Sequence, residues 1–234
     1  MKPTLSVIIP ALNEEANIAA AVAEVTRVVE HRFEDYELLL FDDGSQDHTG
    51  EIMDCLAEQD SRIRVTRNAQ SRNLGGVYKQ GVALAKFDYI LMVPGDNENP
   101  GNALVPVLDA LGKADIVIPY TTNTGVRPWV RRACSRAYTM LINSLFGHNL
   151  RYYNGTSIYR ASDLRSICIR TDSFAYQSEV LLKLLRKGKS YVEVGIQIKP
   201  PIGSTPKALR FRNLVNVLKA VLQLVVEIRF QKPG

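Results

Sequence analysis

Only three cysteines occur in the 234 residues, Cys55, Cys134 and Cys168, and no two of them stand at metal-ligand spacing. An odd, scattered set closes no disulfide framework, so a disulfide-stapled mini-protein is excluded and a reducing, cytosolic setting is expected. Long apolar runs are missing too. The short apolar stretch near the start stops at Pro10, too soon for a signal-peptide core, and no run reaches the roughly 18 apolar residues of a spanning helix. Repeats, low-complexity tracts and linkers are absent, which favours one domain over residues 1–208 with residues 209–234 as an appended helix. Helix-turn-helix, RNP and zinc-finger patterns are also lacking, which argues against a nucleic-acid partner, and the glycines lack Walker or dinucleotide spacing.

What is present is a chain with 46% hydrophobic and 23% charged residues, enough apolar material for a sizeable core and far from a disordered composition. The net charge of +5 conceals a division. Residues 1–126 hold 19 Asp/Glu against 10 Lys/Arg, net −9, whereas residues 127–234 hold 19 Lys/Arg against 5 Asp/Glu, net +14. The second half is expected to meet something anionic, such as a phosphorylated substrate or an anionic lipid surface, with a basic face kept for solubility as the plain alternative.

Residues 5–9 (LSVII) form a β-branched run, and residues 16–29 follow with apolar side chains at helical spacing. The pattern then recurs: 36–41, 63–66, 89–93 and 116–119 read as strands, alternating with helices from Thr49 as cap to Glu58, over 76–85 and over 102–111. Strands apolar on both faces and separated by helices predict an α/β fold, a mostly parallel central sheet with helices on both faces. Beyond Tyr120 the spacing predicts a basic helix to Phe146, a strand over 155–159, a helix over 178–186 and a strand over 191–198. Residues 209–230 fit an amphipathic helix about 33 Å long. Arg212, Asn216, Lys219, Gln223 and Glu227 form its polar stripe. It suits a membrane surface, with Arg210, Arg212, Lys219 and Arg229 toward anionic head groups, or equally a core or dimer seam.

Ligands of such sheets bind beyond the carboxyl ends of the strands, where three polar clusters are expected. Asn13-Glu14 follows the first strand, although Asn13 can equally cap the next helix. Asp42-Asp43-Gly44-Ser45 follows the second, and the repulsion between adjacent carboxylates would be relieved by a ligand offering donors, such as a base imide and a ribose. Asp96-Asn97-Glu98 supplies hard oxygen donors suited to Mg²⁺ or Mn²⁺ on a diphosphate. Arg72-Asn73-Leu74-Gly75-Gly76 opens a helix and either brings backbone close to a phosphate or makes an ordinary turn.

In this order the segments resemble glycosyltransferase family 2. LSVIIPALNEEANI is similar to the family's opening, FDDGSQDHTGEI to its D-D-x-S-x-D-x-T, and NLGGVYKQGVALAKFDYILMVPGDNENP to the stretch leading into its metal motif. The likeness is specific over residues 5–120 and looser over 127–207, where RPWVRRACSRAYTMLIN, QSEVLLKLLRKG and Gly203-Ser204-x-x-Lys207 resemble the polyprenyl-phosphate sugar synthases. The resemblance implies a GT-A nucleotide-sugar fold and an inverting transfer from a nucleotide-diphosphate sugar to a polyprenyl phosphate at the cytoplasmic face of a membrane. The nucleotide-sugar site is expected at Pro10, Ala11, Asn13, Glu14, Asp42, Asp43, Ser45, Asn73, Gly75, Gly95 and Asp96. Asp96 matches the second acidic position of the family's D-x-D, and the first falls on Pro94, so Asn97 or Glu98 would complete the shell around Mg²⁺ or Mn²⁺. A further departure lies at 151–155, where the synthases usually place an Asp shortly before the glycine.

An acceptor phosphate is already anionic and needs cations to hold it, whereas an acceptor hydroxyl needs a base. Arg127, Arg131, Arg132, Ser204 and Lys207 are the expected phosphate grip, and Glu179 the expected base if the acceptor is a hydroxyl. A hydroxyl-directed transferase and a non-catalytic nucleotide-sugar binding protein are the alternatives, and the terminal helix leaves room for a homo-oligomer.

Overall fold

The computed structural model describes residues 2–200 and 211–230. β1 (Thr4–Ala11) leads to α1 (Ile18–Val29), β2 (Asp35–Asp42) to α2 (Thr49–Gln59), β3 (Ile63–Arg67) to α3 (Asn73–Leu84) and β4 (Tyr89–Met92) to α4 (Gly101–Asp109). β5 (Ile116–Thr121) reaches α5 (Trp129–Phe146) through a 3-10 turn at Thr124–Val126; β6 (Ile158–Arg160), α6 (Ala161–Arg165), α7 (Tyr176–Arg186), β7 (Tyr191–Ile196) and α8 (Phe211–Phe230) follow. One sheet runs β3-β2-β1-β4-β6-β5-β7. β3, β2, β1 and β4 are mutually parallel, β6 is antiparallel to β4 and β5, and β7 is parallel to β5.

Side chains alternate across the sheet, which divides the core in two. Leu5, Val7 and Ile9 join Leu38 and Leu40 on the face covered by α1, α2 and α4, while Ile8, Leu39, Phe41, Ile90 and Met92 pack with α3, α6 and α7 on the other. Gly81 lies where α3 crosses β1, and a Cβ there would collide with Ile8. Because the first four strands are parallel, their carboxyl ends and the loops 12–17, 43–48, 68–72 and 93–100 share one edge of the sheet.

Two capping expectations change. Asn17, not Asn13, precedes α1, and Thr49 is the first residue of α2; its N–H and hydroxyl both donate to Asp47 Oδ1, at 3.0 and 2.5 Å. α8 packs on α7 through the buried Val221 and Leu224, while Leu218, Leu222 and Val226, spaced four apart, stand exposed. Glu227 on its polar stripe faces inward and pairs with Lys183 at 2.9 Å. The side chains of Arg210, Arg212 and Arg229 lie outside the described residues. Among the described residues no helix is long and apolar enough to cross a membrane.

Candidate functional site at the carboxyl ends of the strands

The loops after β1, β2 and β4 are tied to one another by backbone bonds. Gly95 N–H donates to Pro10 O at 3.0 Å and Asp43 N–H to Ala11 O at 2.9 Å, so Pro10 and Ala11 serve as the common floor. A Cβ on Gly95 would sit 3.2 Å from the Ala11 Cβ. Asn13, at φ 56°, donates its N–H to Ser45 Oγ (3.0 Å) and accepts from Gln46 N–H (2.9 Å), and Glu14 N–H donates to Thr49 Oγ1 (2.8 Å). Ser45 Oγ thus ties the loop after β2 to the loop after β1.

The doubled aspartate is relieved by the protein itself. Asp42 Oδ1 accepts Ser45 N–H at 2.9 Å, and Gly50 leaves room for the other oxygen, since a Cβ there would lie 2.6 Å from Asp42 Oδ2. Asp43 Oδ1 accepts from Asn68 Nδ2 (2.9 Å) and Arg72 N–H (2.8 Å), and its Oδ2 from Ser71 Oγ (2.7 Å). Both carboxylates are buried. At Asp43 the expected need for a ligand's donors therefore gives way to a loop anchor, because Asn68, Ser71 and Arg72 supply the donors first, whereas Asp42 takes the Ser45 amide on one oxygen only. Gly75 changes meaning in the same way: a Cβ would sit 2.5 Å from the Thr171 carbonyl oxygen, and its N–H donates to Asp172 O at 3.1 Å, so its bareness admits the 171–172 loop instead of a phosphate. Asn73, exposed and at φ 59°, turns the chain into α3.

The loop after β4 is different. Asp96 Oδ1 accepts the Glu98 N–H at 3.0 Å. Burial pushes the Asp96 carboxyl up to about 6 against that hydrogen bond; the Glu98 and Glu14 carboxylates push the same way and Arg131 pulls back. Asn97 holds φ 55°, and its Oδ1 is buried without a hydrogen-bond partner. A half-buried carboxyl and an orphaned amide oxygen in one short loop are donors that a hard divalent cation satisfies, with diphosphate oxygens and water filling the other positions. Asp96 and Asn97 fit a cation of that kind. Glu98 does not join them: its carboxylate accepts from Arg131 Nη1 (3.2 Å) and Nη2 (3.4 Å) and from Arg127 Nη2 (3.3 Å). Among the described residues no group of three or more His, Cys, Asp or Glu is arranged for a metal ion.

Where the chain enters α5, Arg127, extended two residues before the helix, and Arg131, in its first turn, converge on the Glu98 carboxylate. Asn123 fastens that entry to the segment just after β7, its Nδ2 donating to Ile198 O (2.9 Å) and its Oδ1 accepting Ile198 N–H (3.0 Å). Tyr152 Oη adds a contact to Arg127 Nη1 at 3.4 Å. Asn123 and Tyr152 escaped the sequence reading because nothing in local spacing links Asn123 to the segment just after β7, 75 residues on, or Tyr152 to Arg127, 25 residues back. Arg132 is half-buried beside the pair. Between the two arginines Trp129 is 72% exposed.

Glu179 is a clamp, not a presented base. Its Oε1 accepts Arg170 N–H (2.9 Å) and Lys183 Nζ (2.7 Å), and its Oε2 accepts Thr171 N–H (2.9 Å), all within a buried setting. Ser204 and Lys207 lie outside the described residues.

Beside this polar edge of the sheet, the match over residues 6–184 to the family described as Glycosyl transferase family 2 is decisive. The chain belongs to glycosyl transferase family 2. It is a glycosyltransferase, and its fold is the GT-A fold. This family 2 enzyme is 28% identical over 200 residues, 81% of each chain, to an undecaprenyl-phosphate mannosyltransferase of Micrococcus luteus. It is 29% identical over 208 residues to a polyprenol monophosphomannose synthase of Mycolicibacterium smegmatis, covering 81% of this chain and 75% of the relative. In three dimensions it is similar to glucosyl-3-phosphoglycerate synthase of Mycobacterium tuberculosis in complex with Mn²⁺, UDP and glucosyl-3-phosphoglycerate: TM-score 0.68, 18% identity, 99% of this chain and 81% of that one. At that identity the likeness speaks for the fold.

Proposed function

We propose that this glycosyltransferase moves a sugar from a nucleotide diphosphate to a polyprenyl phosphate, with inversion at the anomeric carbon, at the cytoplasmic face of an anionic membrane. The observation that carries the reading is the adjacency of Asp96 to two half-buried arginines, Arg127 and Arg131, joined to its loop through Glu98. A carboxyl suited to a metal-diphosphate beside a pair of guanidiniums is the arrangement that a donor diphosphate and an anionic acceptor require together. The acceptor-phosphate oxygen attacks the anomeric carbon, the bond from that carbon to the diphosphate breaks, and the nucleoside diphosphate leaves with the electron pair. That oxygen has no proton to lose, so no base is needed, in keeping with the engagement of Glu179 by Lys183 and two backbone amides. Asp96 and Asn97 would hold Mg²⁺ or Mn²⁺, which when bound neutralises charge on the departing diphosphate. Arg127 and Arg131, with Arg132, Ser204 and Lys207, would hold the acceptor phosphate.

The two mannosyl-transferring relatives carry undecaprenyl phosphate and polyprenol in their names, which supports the acceptor class. Exposed Trp129 and Val130 beside the arginines, and Leu218, Leu222 and Val226 on α8, support contact with a lipid surface. The test is transfer of radiolabel from UDP- and GDP-sugars, with Mn²⁺ or Mg²⁺, into an organic extract with a polyprenyl phosphate or the matching polyprenol as acceptor. Label in the extract with the phosphate alone is expected; equal transfer to the alcohol, or none to either with turnover on a soluble sugar, overturns the proposal.

A further inference from the structure

We infer that Glu98 is the positioning residue of the acceptor-phosphate grip, holding Arg127 and Arg131 side by side, and is not a ligand of the cation at Asp96. The inference rests on the proposed function, since it assigns a task to the arginines of that reading. Glu98 is 7% exposed, and both of its oxygens face guanidiniums: Oε1 takes Arg131 Nη1 at 3.2 Å, and Oε2 takes Arg131 Nη2 at 3.4 Å and Arg127 Nη2 at 3.3 Å. The Arg131 contact is a two-pronged fork, a geometry that fixes the plane of the guanidinium as well as its position. Two guanidiniums converging in a half-buried place repel, and a carboxylate between them removes that cost while leaving a net positive charge for an anion. Arg127 still has its Nε–H buried without a partner, a donor the fold itself does not use.

The main chain of the same residue is pinned on two sides. Its N–H donates to Asp96 Oδ1 at 3.0 Å, and its carbonyl accepts Lys199 N–H at 2.9 Å. Glu98 therefore faces the donor loop with its backbone and the acceptor arginines with its side chain, so its place fixes the distance between the two halves of the site. A hard cation would have to compete with three N–H groups for those carboxylate oxygens, whereas Asp96 and Asn97 carry oxygens to which the fold brings fewer donors or none.

The experiment uses the full chain and reads binding. Wild type, Glu98→Gln and Glu98→Asp are titrated by calorimetry with farnesyl phosphate, and separately with UDP and GDP with and without Mn²⁺. Glu98→Gln should weaken farnesyl phosphate by about tenfold or more, the loss of a charge-assisted fork being worth at least about 1.4 kcal/mol. The Mn²⁺-dependent gain in nucleotide affinity should stay unchanged, and Glu98→Asp should recover part of the phosphate affinity. In Glu98→Gln combined with Arg131→Gln the loss should be smaller than the sum of the two single losses, because the Arg131 contact is common to both and only the Arg127 contact remains for Glu98→Gln to remove. Loss of the Mn²⁺ gain with phosphate affinity intact would make Glu98 a metal ligand and overturn the inference. Unchanged binding in both titrations, additive losses in the double variant, or an equal fall in both affinities that Glu98→Asp does not repair would overturn it too. Failure of the underlying reading looks different: there the wild type itself binds no farnesyl phosphate.

Discussion

In the loop after β2 both oxygens of Asp43 have donors from the protein, Asn68, Ser71 and the Arg72 amide, and Asp42 has the Ser45 amide. In the loop after β4, by contrast, Asp96 has one amide for one oxygen, Asn97 Oδ1 has none, and burial holds the Asp96 carboxyl up at about 6. Both loops are acidic, and both leave strands that flank β1 and run parallel to it. The saturated Asp43 shapes the edge of the sheet; Asp42 and Asp96 each take a single amide on one oxygen, and only the loop after β4 adds an amide oxygen, Asn97 Oδ1, buried without a partner. Satisfied polar groups specify structure, whereas polar groups kept short of partners mark where a ligand completes the shell.

The largest effect expected from breaking that contrast is at Asp96. Asp96→Asn should lower transfer by roughly a hundredfold or more, the scale for removing a group that offsets charge in the transition state. It should at the same time stabilise the metal-free fold. A carboxyl whose folded value is about 6 against the ordinary 3.8 binds its proton more tightly in the folded chain. The stability contributed by protonated Asp96 is therefore present below about pH 4 and lost as pH rises through about 6, a cost of about 2 to 3 kcal/mol above that. In chelator, the variant should melt at least about 4 °C above wild type at pH 7.5 and level with it near pH 4, which thermal denaturation at the two pH values checks.

Asp43→Ala should behave in the opposite manner, losing about 2 kcal/mol of stability in urea denaturation as three donors lose their acceptor. An Asp43→Ala protein as stable as wild type would erase the distinction between the two loops. Glu179→Gln sharpens the distinction on the basic side. It should cost about 1 kcal/mol by loosening the 170–171 turn, yet leave the shape of the pH–rate profile unchanged; loss of a basic limb from that profile would restore Glu179 as a base. The smallest effect is at the surface. Trp129→Ala should lower binding to anionic phospholipid vesicles severalfold, with nucleotide affinity unaltered, as sedimentation with vesicles would read.

The parallel half of the sheet was legible because β1, β2 and β4 are apolar on both faces, a signature that local spacing carries, and the order of polar clusters at their ends located the site. The orientation of β6 was not legible: three residues long and antiparallel, it is set by its neighbours β4 and β5 instead of by its own pattern. Asp43, Gly75 and Glu179 were recognised as notable, but their partners come from Asn68, Asp172 and Arg170 on other loops, and only folding brings those together. Glu98 was read with its neighbours in sequence, Asp96 and Asn97, while its side chain answers to Arg127 and Arg131 about thirty residues away. Short-range spacing finds clusters and long-range charge pairing decides what each member faces.

The most direct measurement is calorimetric titration of UDP and GDP, with and without Mn²⁺, into wild type, Asp96→Asn and Asp43→Asn side by side. Asp96→Asn should lose the Mn²⁺-dependent gain in affinity while remaining folded, and Asp43→Asn should keep that gain despite lower stability. Retention of the full Mn²⁺ gain by Asp96→Asn, or its loss in Asp43→Asn alone, would contradict the assignment of the β4 loop as the chemical centre and the β2 loop as its scaffold.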